Sequence, residues 1–219
     1  QYLDQNKEAE ERIYEGETPG VSYGDIAERY YTVGQYMKEV KDVSKAMVAA
    51  GDSYICDEYL NAMGSPEAES VYVLHDLNND GIEEFFIGLK FNYDTPYYVI
   101  YDVYTWKDGR AYQLMRGIGY RNGSCKICEN GVIEDNYSGS AWDGQTLYHI
   151  LPEGGIELET IDSVSSRRDG TVQSYYHWNE LIDENSLQTI LEQYQPESVT
   201  YVDCNRETIE QLRLSGIRK

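Results

Sequence analysis

The sequence predicts an α+β protein in which a long N-terminal helix packs on a twisted antiparallel β-meander, followed by short C-terminal helices. Apolar residues repeat every three or four positions near the N-terminus, Asp-Gly and Asn-Gly pairs mark the middle of the chain, and helical spacing returns after Trp178. Helices and hairpins that are segregated along a chain are typical of α+β folds. We expect a polar arm or stalk over residues 1–20 and a single domain over residues 21–219.

The first helical region is expected over residues 25–63. Its apolar stripe consists of Ile26, Tyr30, Val33, Met37, Val40 and Met47. Spacings of mostly three and four predict one amphipathic helix over about residues 25–50. Asp25 is suited to cap the start of this helix, and Gly51 is suited to end it. A shorter helix is expected over residues 53–63, and the stripe is expected to form core against the sheet.

The β-meander is expected over residues 71–180. Asp-Gly or Asn-Gly pairs occur at 80–81, 108–109, 122–123, 130–131, 143–144 and 169–170. Such pairs favour hairpins because both central residues of a type I′ turn have positive φ. For the turn at 108–109, the predicted register places Val103 opposite Leu114 and Tyr104 opposite Gln113.

Helical spacing returns over residues 186–216. Ser186 is suited to cap one helix and Asn205 to cap the last, which Gly216 would end.

Charge and tyrosine content are the unusual features of the composition. The chain has 39 acidic and 18 basic residues, a net charge of −21, and 22 tyrosines against three phenylalanines and three tryptophans. The negative charge argues against nucleic-acid binding. Tyrosine suits both half-buried sheet faces and wet recognition surfaces. No window of 18 apolar residues is present, so the sequence predicts no transmembrane segment.

A metal-type loop lies at the start of the meander. Asp76, Asn78 and Asp80 alternate along the chain, and Glu84 occupies the ninth position counted from Asp76. Oxygen ligands at positions 1, 3 and 5, with the Ile82 carbonyl and the Glu84 carboxylate, would surround one hard cation, with calcium the expected ion. An acidic turn without an ion is the alternative.

The flanks of this loop differ from those of an EF-hand. Position 12 is Ile87 instead of glutamate, and short β-type runs flank the loop instead of helices. The motif resembles the loops that precede strands in FG-GAP-like repeats. It also resembles a segment of an uncharacterised group of secreted or lipid-anchored bacterial proteins. The resemblance covers about 20 residues and implies a structural calcium site in an extracellular or cell-surface protein.

The first residue and the cysteines give information on the cellular location of the protein. The chain begins at Gln1, so we expect a targeting segment, with a lipid anchor as one form, to precede it. Four cysteines are too few for a disulfide scaffold at this length. Cys125 and Cys128 form a C-x-x-C motif in an expected hairpin strand, which argues against zinc or redox chemistry. A bridge between Cys56 and Cys204 is left open.

The leading functional hypothesis is a non-enzymatic binding or interaction module for an unknown extracellular ligand, protein or glycan. Its candidate ligand surface comprises Ser140 and Trp142, with Trp106. An alternative is a hydrolase acting on glycan or cell-wall material, which requires two converging carboxylates or a meeting of His149 with His177. A further alternative is a carbohydrate-binding module, which requires exposed, coplanar Tyr or Trp rings. Packing of these aromatic residues in the sheet core is the structural alternative.

Overall fold

The computed structural model describes residues 13–17, 22–50, 55–118, 125–138, 142–152, 155–165 and 172–215. Its contacts divide the chain into two compact units. Unit 1 comprises Gln1–Ile13, Leu77–Asp80 and Gly119–Ser198, and unit 2 comprises Tyr14–Asp76, Gly81–Ile118 and Val199–Lys219. Each unit contains helix and antiparallel sheet, which confirms the predicted α+β class.

The elements follow one another along the chain in this order: β1 (Ile13–Glu17), α1 (Tyr23–Val40), α2 (Val43–Ala50), α3 (Asp57–Met63), β2 (Ala68–His75), β3 (Glu84–Phe91), β4 (Tyr97–Lys107), β5 (Arg110–Arg116), β6 (Cys125–Cys128), β7 (Val132–Ser138), β8 (Trp142–Ile150), β9 (Ile156–Ser165), β10 (Val172–His177), β11 (Glu180–Ile182), α4 (Glu184–Leu191), β12 (Val202–Asp203) and α5 (Arg206–Ser215). No helix within the described ranges combines the length and the apolar character needed to cross a membrane.

The predicted meander is distributed over two sheets. Within the described residues, sheet 1 has the strand order β1-β5-β4-β3-β2-β12, and sheet 2 has the order β11-β10-β9-β8-β7-β6. Consecutive strands from β2 to β5, and again from β6 to β11, pair as antiparallel neighbours. The Asp-Gly and Asn-Gly pairs at 108–109 and 130–131 therefore mark hairpins, but the pairs carry no information on where one sheet ends and the next begins.

The core of unit 2 lies between sheet 1 and its helices. On α1 the buried residues include Ile26, Tyr30, Val33 and Met37, which confirms these members of the predicted stripe, whereas Val40 is exposed. They join β3 side chains in one cluster, and the ring of Tyr23 stacks on Phe85 with centroids 5.2 Å apart. Burial of this apolar face is what stabilises the helix on the sheet.

The first helix differs from the prediction at both ends. Ser22 is the N-cap, and its hydroxyl accepts the Asp25 amide at 3.2 Å while the Asp25 carboxylate accepts the Ser22 amide at 3.1 Å. Asp25 therefore completes a capping box instead of capping alone. The predicted single helix to residue 50 is also wrong, because Lys41 adopts a left-handed conformation with φ of 52° and ends α1. Asp42 then accepts the Lys45 amide at the start of α2.

Helix α4 packs on sheet 2 in unit 1. Leu187 is buried with Cys128, Val132, Leu147 and Ile161. Asp183 caps α4, so the prediction of Ser186 as the cap is wrong by one turn; Ser186 supplies the amide that Asp183 accepts at 2.7 Å.

Asn205 caps α5, as predicted. Its side-chain oxygen accepts the amides of Glu207 at 3.0 Å and Thr208 at 3.1 Å.

Candidate functional sites

Three aromatic side chains stack at the end of the β3–β4 hairpin, and two of them are exposed. Phe91 and Tyr97 are paired across the strands, with ring centroids 4.8 Å apart and planes 14° apart. Tyr93 lies 5.8 Å from Tyr97 and 6.3 Å from Phe91, again with nearly parallel rings. Tyr93 is 50% exposed and Tyr97 47% exposed, while Phe91 is buried beneath them. We call these three residues the aromatic platform.

The hairpin holds the platform in place by local bonds. The Asn92 amide donates to the Glu67 carbonyl at 3.0 Å, and the Tyr93 amide donates to the Phe91 carbonyl at 3.1 Å. Phe91 also belongs to the core of unit 2. Because one ring is anchored in the core and the other two stack against it, the exposed rings are held in a fixed orientation.

The opposite face of the same hairpin is occupied by other contacts. Tyr98 stacks on Tyr201 with centroids 4.0 Å apart. Lys90, paired across the strands with Tyr98, lies 4.0 Å from a carboxylate oxygen of Glu69 and 4.0 Å from one of Asp203. This face therefore contains ion pairs and two tyrosine rings stacked on each other, whereas the platform face contains aromatic rings without ion pairs between them.

The ligand surface predicted from the sequence is covered only in part by the structure. Trp142 lies in β8, and Ser140 falls outside the described residues. Trp106 lies in β4, is partly buried, and packs edge-on against Tyr23 with centroids 5.8 Å apart. A ligand-binding role for Ser140, Trp142 and Trp106 stays a prediction.

The predicted calcium loop forms a tight turn between β2 and β3. Asn79 and Gly81 have positive φ values of 57° and 87°. The Asp80 amide donates to the Asn78 side-chain oxygen at 3.1 Å, and the Gly81 amide donates to an Asp76 carboxylate oxygen at 2.9 Å. These bonds explain why this sequence turns here, because short polar side chains satisfy the loop amides that no strand partner reaches.

The two remaining candidate calcium ligands, Ile82 and Glu84, lie after the tight turn. Glu84 is fully buried in β3, where its carboxylate accepts the Thr105 hydroxyl at 3.1 Å. Ile82 lies in the stretch before β3. Within the described part of the chain, no group of three or more His, Cys, Asp or Glu side chains is positioned to hold a metal ion. Calcium binding by this loop stays a prediction from its spacing.

A carboxylate with three hydrogen-bond donors lies on the α4 side of sheet 2. Glu159 is 8% exposed, and one of its oxygens accepts from His149 Nε2 at 2.9 Å and from the Tyr194 hydroxyl at 2.7 Å. The other oxygen accepts from His177 Nε2 at 2.6 Å. We call these four residues the Glu159 cluster.

The electrostatics of the Glu159 cluster favour an ionised carboxylate. Burial alone would raise the pKa of Glu159, but the hydrogen bonds from His149, Tyr194 and His177 outweigh it and hold the pKa at about 2. An ionised carboxylate only accepts hydrogen bonds, so both imidazoles donate from Nε2. Burial and the neighbouring carboxylate raise the pKa of Tyr194.

The meeting of His149 and His177 on one carboxylate follows from strand register. Leu147 is opposite Glu159 and His177 is opposite Ile161, so both histidines point to the same face as Glu159. The sequence singled out the two histidines, but it missed Glu159 and Tyr194. Both oxygens of Glu159 are already bonded, so the cluster fastens the chain after α4 to three strands.

A second buried carboxylate lies in unit 2. Asp102 is fully buried, and its oxygens accept from the Tyr30 hydroxyl and, at 2.9 Å, from the Gly117 amide. Tyr104 lies 2.9 Å from the Tyr30 hydroxyl, so it donates to Tyr30 once Tyr30 has donated to Asp102. Burial raises the pKa of Asp102 to about 6, although the hydrogen bonds from Tyr30 and Gly117 act against this rise.

All four cysteines are buried free thiols, so the open Cys56–Cys204 bridge is absent. The Cys204 thiol instead donates to the Ala27 carbonyl at 3.5 Å. Cys125 and Cys128 lie in β6, whose pairing with β7 confirms the predicted hairpin. Burial raises the pKa of Cys128 to about 11, which is unsuited to a reactive thiolate.

Comparisons of the chain with protein-family models, with curated proteins and with solved structures gave no match.

Proposed function

We propose that this chain is an extracellular binding module that recognises glycans through the aromatic platform. The observation that supports this function is the pair of half-exposed, nearly parallel tyrosine rings at Tyr93 and Tyr97. Folding normally buries large aromatic side chains. A cluster of exposed rings therefore indicates a binding surface, whereas a single exposed apolar residue does not. Rigid aromatic side chains also lose little conformational entropy on binding.

The platform suits the flat face of a sugar ring. The C–H bonds on that face carry partial positive charge, and the faces of aromatic rings are electron-rich. Asn92 and Thr95 are exposed residues of the same loop, and their polar side chains can hydrogen-bond to sugar hydroxyls. An apolar surface with a few polar groups around it is the usual composition of a small-ligand site.

Replacement of either exposed ring should weaken glycan binding. Tyr93→Ala and Tyr97→Ala are each expected to raise the dissociation constant at least tenfold, which corresponds to about 1.4 kcal/mol, because central aromatic contacts dominate binding energy. Tyr93→Phe should retain most of the affinity, since the ring face is kept. Isothermal titration calorimetry or affinity electrophoresis with soluble neutral polysaccharides measures these changes.

Leu214→Ala is the matched control, because Leu214 is 62% exposed in unit 2 but lies in α5, outside the platform. It should leave the dissociation constant unchanged. Thermal melts of each variant establish that folding is preserved. Glycan binding that persists in the Tyr93→Ala, Tyr97→Ala double variant would disprove the platform as the ligand surface.

We also propose a structural calcium site at Asp76, Asn78, Asp80, Ile82 and Glu84. The alternating oxygen side chains support it, together with the tight turn at Asn79 and Gly81. Dissociation constants on the order of 10⁻⁴–10⁻³ M are typical of extracellular calcium modules. Such a site would be filled where calcium is millimolar, in keeping with the proposed extracellular or cell-surface location.

Calcium should stabilise the folded chain, and Asp80→Ala should abolish this effect. At free calcium ten times the dissociation constant, the stabilisation is expected to be about 1.4 kcal/mol. Thermal melts after chelation, and again with added calcium or magnesium, measure it. Asp108→Ala alters a second Asp-Gly turn and should retain the calcium response. A melt that is indifferent to both ions would mean that the loop is an acidic turn.

A further inference from the structure

We infer that the aromatic platform takes uncharged glycans and discriminates against anionic ones such as uronate or sulfated polymers. This inference rests on the proposed glycan binding and adds the class of glycan. Ring stacking does not itself distinguish the two classes, because both present the same sugar faces. The discrimination has to come from the charges around the rings.

The loop that carries Tyr93 provides negative charge and no cation. Its residues 92–96 are Asn, Tyr, Asp, Thr and Pro, and all five are exposed. Asp94 therefore places a solvent-exposed carboxylate between the two platform tyrosines in sequence. Because Asp94 adjoins Tyr93 in the chain, its carboxylate adds negative potential to the loop that a carboxylate or sulfate on a bound sugar has to approach.

Lys90, the only lysine of the described hairpin strand β3, offers no compensation at the rings. It is paired with Tyr98 on the opposite face, and its ammonium group lies 4.0 Å from each of the Glu69 and Asp203 carboxylates. Two carboxylates around one ammonium group leave that face negative as well. Recognition of acidic sugars ordinarily relies on Arg or Lys side chains directed at the anionic group.

The whole chain strengthens this local effect. Its net charge of −21 produces a negative potential that lowers the local concentration of anionic polymers. The repulsion between solvent-exposed charges is screened over a Debye length of about 8 Å at physiological ionic strength and of about 30 Å at 0.01 M. Discrimination between neutral and anionic glycans should therefore be greatest in dilute buffer and decline with salt.

The test compares polymers that share a backbone and differ in charge. We would titrate the full chain with hydroxyethylcellulose and carboxymethylcellulose, with dextran and dextran sulfate, and with a neutral galactan and polygalacturonate. In about 10 mM salt, at least one neutral polymer should bind, and its anionic counterpart should bind at least tenfold more weakly. In 0.5 M salt this ratio should fall at least threefold.

Variants at Asp94 separate local charge from the field of the whole chain. Asp94→Lys should improve the relative affinity for the anionic polymer at least threefold and leave affinity for the neutral polymer within twofold, with Asp94→Asn intermediate. Asp108→Lys makes the same change of charge at another exposed turn, and it should have a smaller effect than Asp94→Lys.

The outcomes distinguish the inference from the proposed function. Equal binding of neutral and anionic partners in low salt, lost on Tyr97→Ala, would overturn the inference and leave the platform as a glycan site. Binding of an anionic polymer alone, lost on Tyr97→Ala, would likewise overturn only the inference. Failure of all six polymers to bind, or binding that persists without both tyrosines, would overturn the proposed function itself.

Discussion

As the pH rises from about 4 to about 6, Asp102 is expected to cost the native protein about 3 kcal/mol of stability. The Asp102→Asn variant is expected to show no such loss. The pKa of Asp102 is raised from 3.8 to about 6, chiefly by burial, and each pKa unit corresponds to about 1.4 kcal/mol. Between these pH values the unfolded chain has released the Asp102 proton, while the folded chain still holds it. The folded state therefore binds more protons, and the free energy of unfolding falls as the pH rises.

Asparagine fits this position with little rearrangement. Its carbonyl oxygen can accept the Gly117 amide, and its amino group can donate to the Tyr30 hydroxyl, which then donates to Tyr104. The Tyr30–Tyr104 bond is kept with its direction reversed, as it would be with a protonated Asp102 carboxyl, and the site no longer titrates. The variant should therefore match the native protein near pH 4 and exceed it in stability above pH 6.

Urea denaturation at half-unit intervals from pH 4 to pH 7 measures this difference. Asp108→Asn changes an exposed aspartate and should retain the native pH dependence. Tyr30→Phe removes a hydrogen bond that lowers the pKa of Asp102. The pH range over which this variant loses stability should therefore extend to higher pH. Parallel stability curves for the native chain and Asp102→Asn would show that Asp102 does not titrate in this range.

The sequence predicted the elements of this fold better than their arrangement. The stripe from Ile26 to Met37 identified α1, because helical burial repeats with the helical period. Nothing in that stripe marks the end of α1 at Lys41, where a non-glycine residue adopts positive φ. The capping motif at the start of α1 lies within four residues and can be recognised in the sequence, whereas no local motif marks the break.

The turn signals show the same division between local and distant causes. The Asp108-Gly109 and Asn130-Gly131 turns have positive φ at both residues, as predicted. Asp143-Gly144 instead lies inside β8, opposite Ser138 and Tyr137, so the turn predicted there is wrong. Pairing with two neighbouring strands has overridden the local preference.

The β10–β11 hairpin formed without either signal. Trp178 and Asn179 adopt φ of 52° and 65°, the combination expected of Asn-Gly, so this turn could not be recognised from composition. The pairs at 122–123 and 169–170 lie outside the described residues.

Register was predictable to within one residue. Tyr104 lies opposite Gln113, which confirms that pair, but Val103 lies opposite Met115 instead of Leu114. An irregularity between Val103 and Tyr104 accounts for the shift, because a bulge inserts one residue into one strand only. A pattern that is read from one strand at a time cannot place such a residue.

The candidate sites depend on this same register. Phe91, Tyr93 and Tyr97 are unremarkable in the sequence, and they become a platform only because Phe91 and Tyr97 are paired. Among the 39 acidic residues, neither Asp102 nor Glu159 was distinguishable before the strands were aligned. The metal-type loop was readable, since its spacing lies within nine consecutive residues.

Glu159→Ala is expected to lower the free energy of unfolding by about 2 kcal/mol at neutral pH. The substitution leaves three donors, from His149, His177 and Tyr194, without their carboxylate acceptor. Removal of one partner from a buried network costs the desolvation of the groups that remain. We place the effect below the 3–5 kcal/mol of a fully buried pair, because each histidine side chain is 26% exposed and solvent replaces part of the lost bonding.

The same carboxylate should make the native protein sensitive to acid. Its pKa is lowered from 4.5 to about 2, so the stabilisation is present above about pH 4.5 and is lost as the pH falls towards 2. In that range Glu159 is protonated in the unfolded chain and ionised in the folded chain. The difference between the native protein and Glu159→Ala should therefore decrease between pH 5 and pH 2.

Glu157→Ala provides the control from the same strand. Glu157 is exposed two residues from Glu159, and its replacement should change stability by less than about 0.5 kcal/mol. Urea denaturation of the three proteins at pH 7 and at pH 3 tests both parts of the prediction. If Glu159→Ala behaved like Glu157→Ala, the cluster would not anchor the chain after α4 to the sheet. Glu159 and its two histidines would then become candidate catalytic residues.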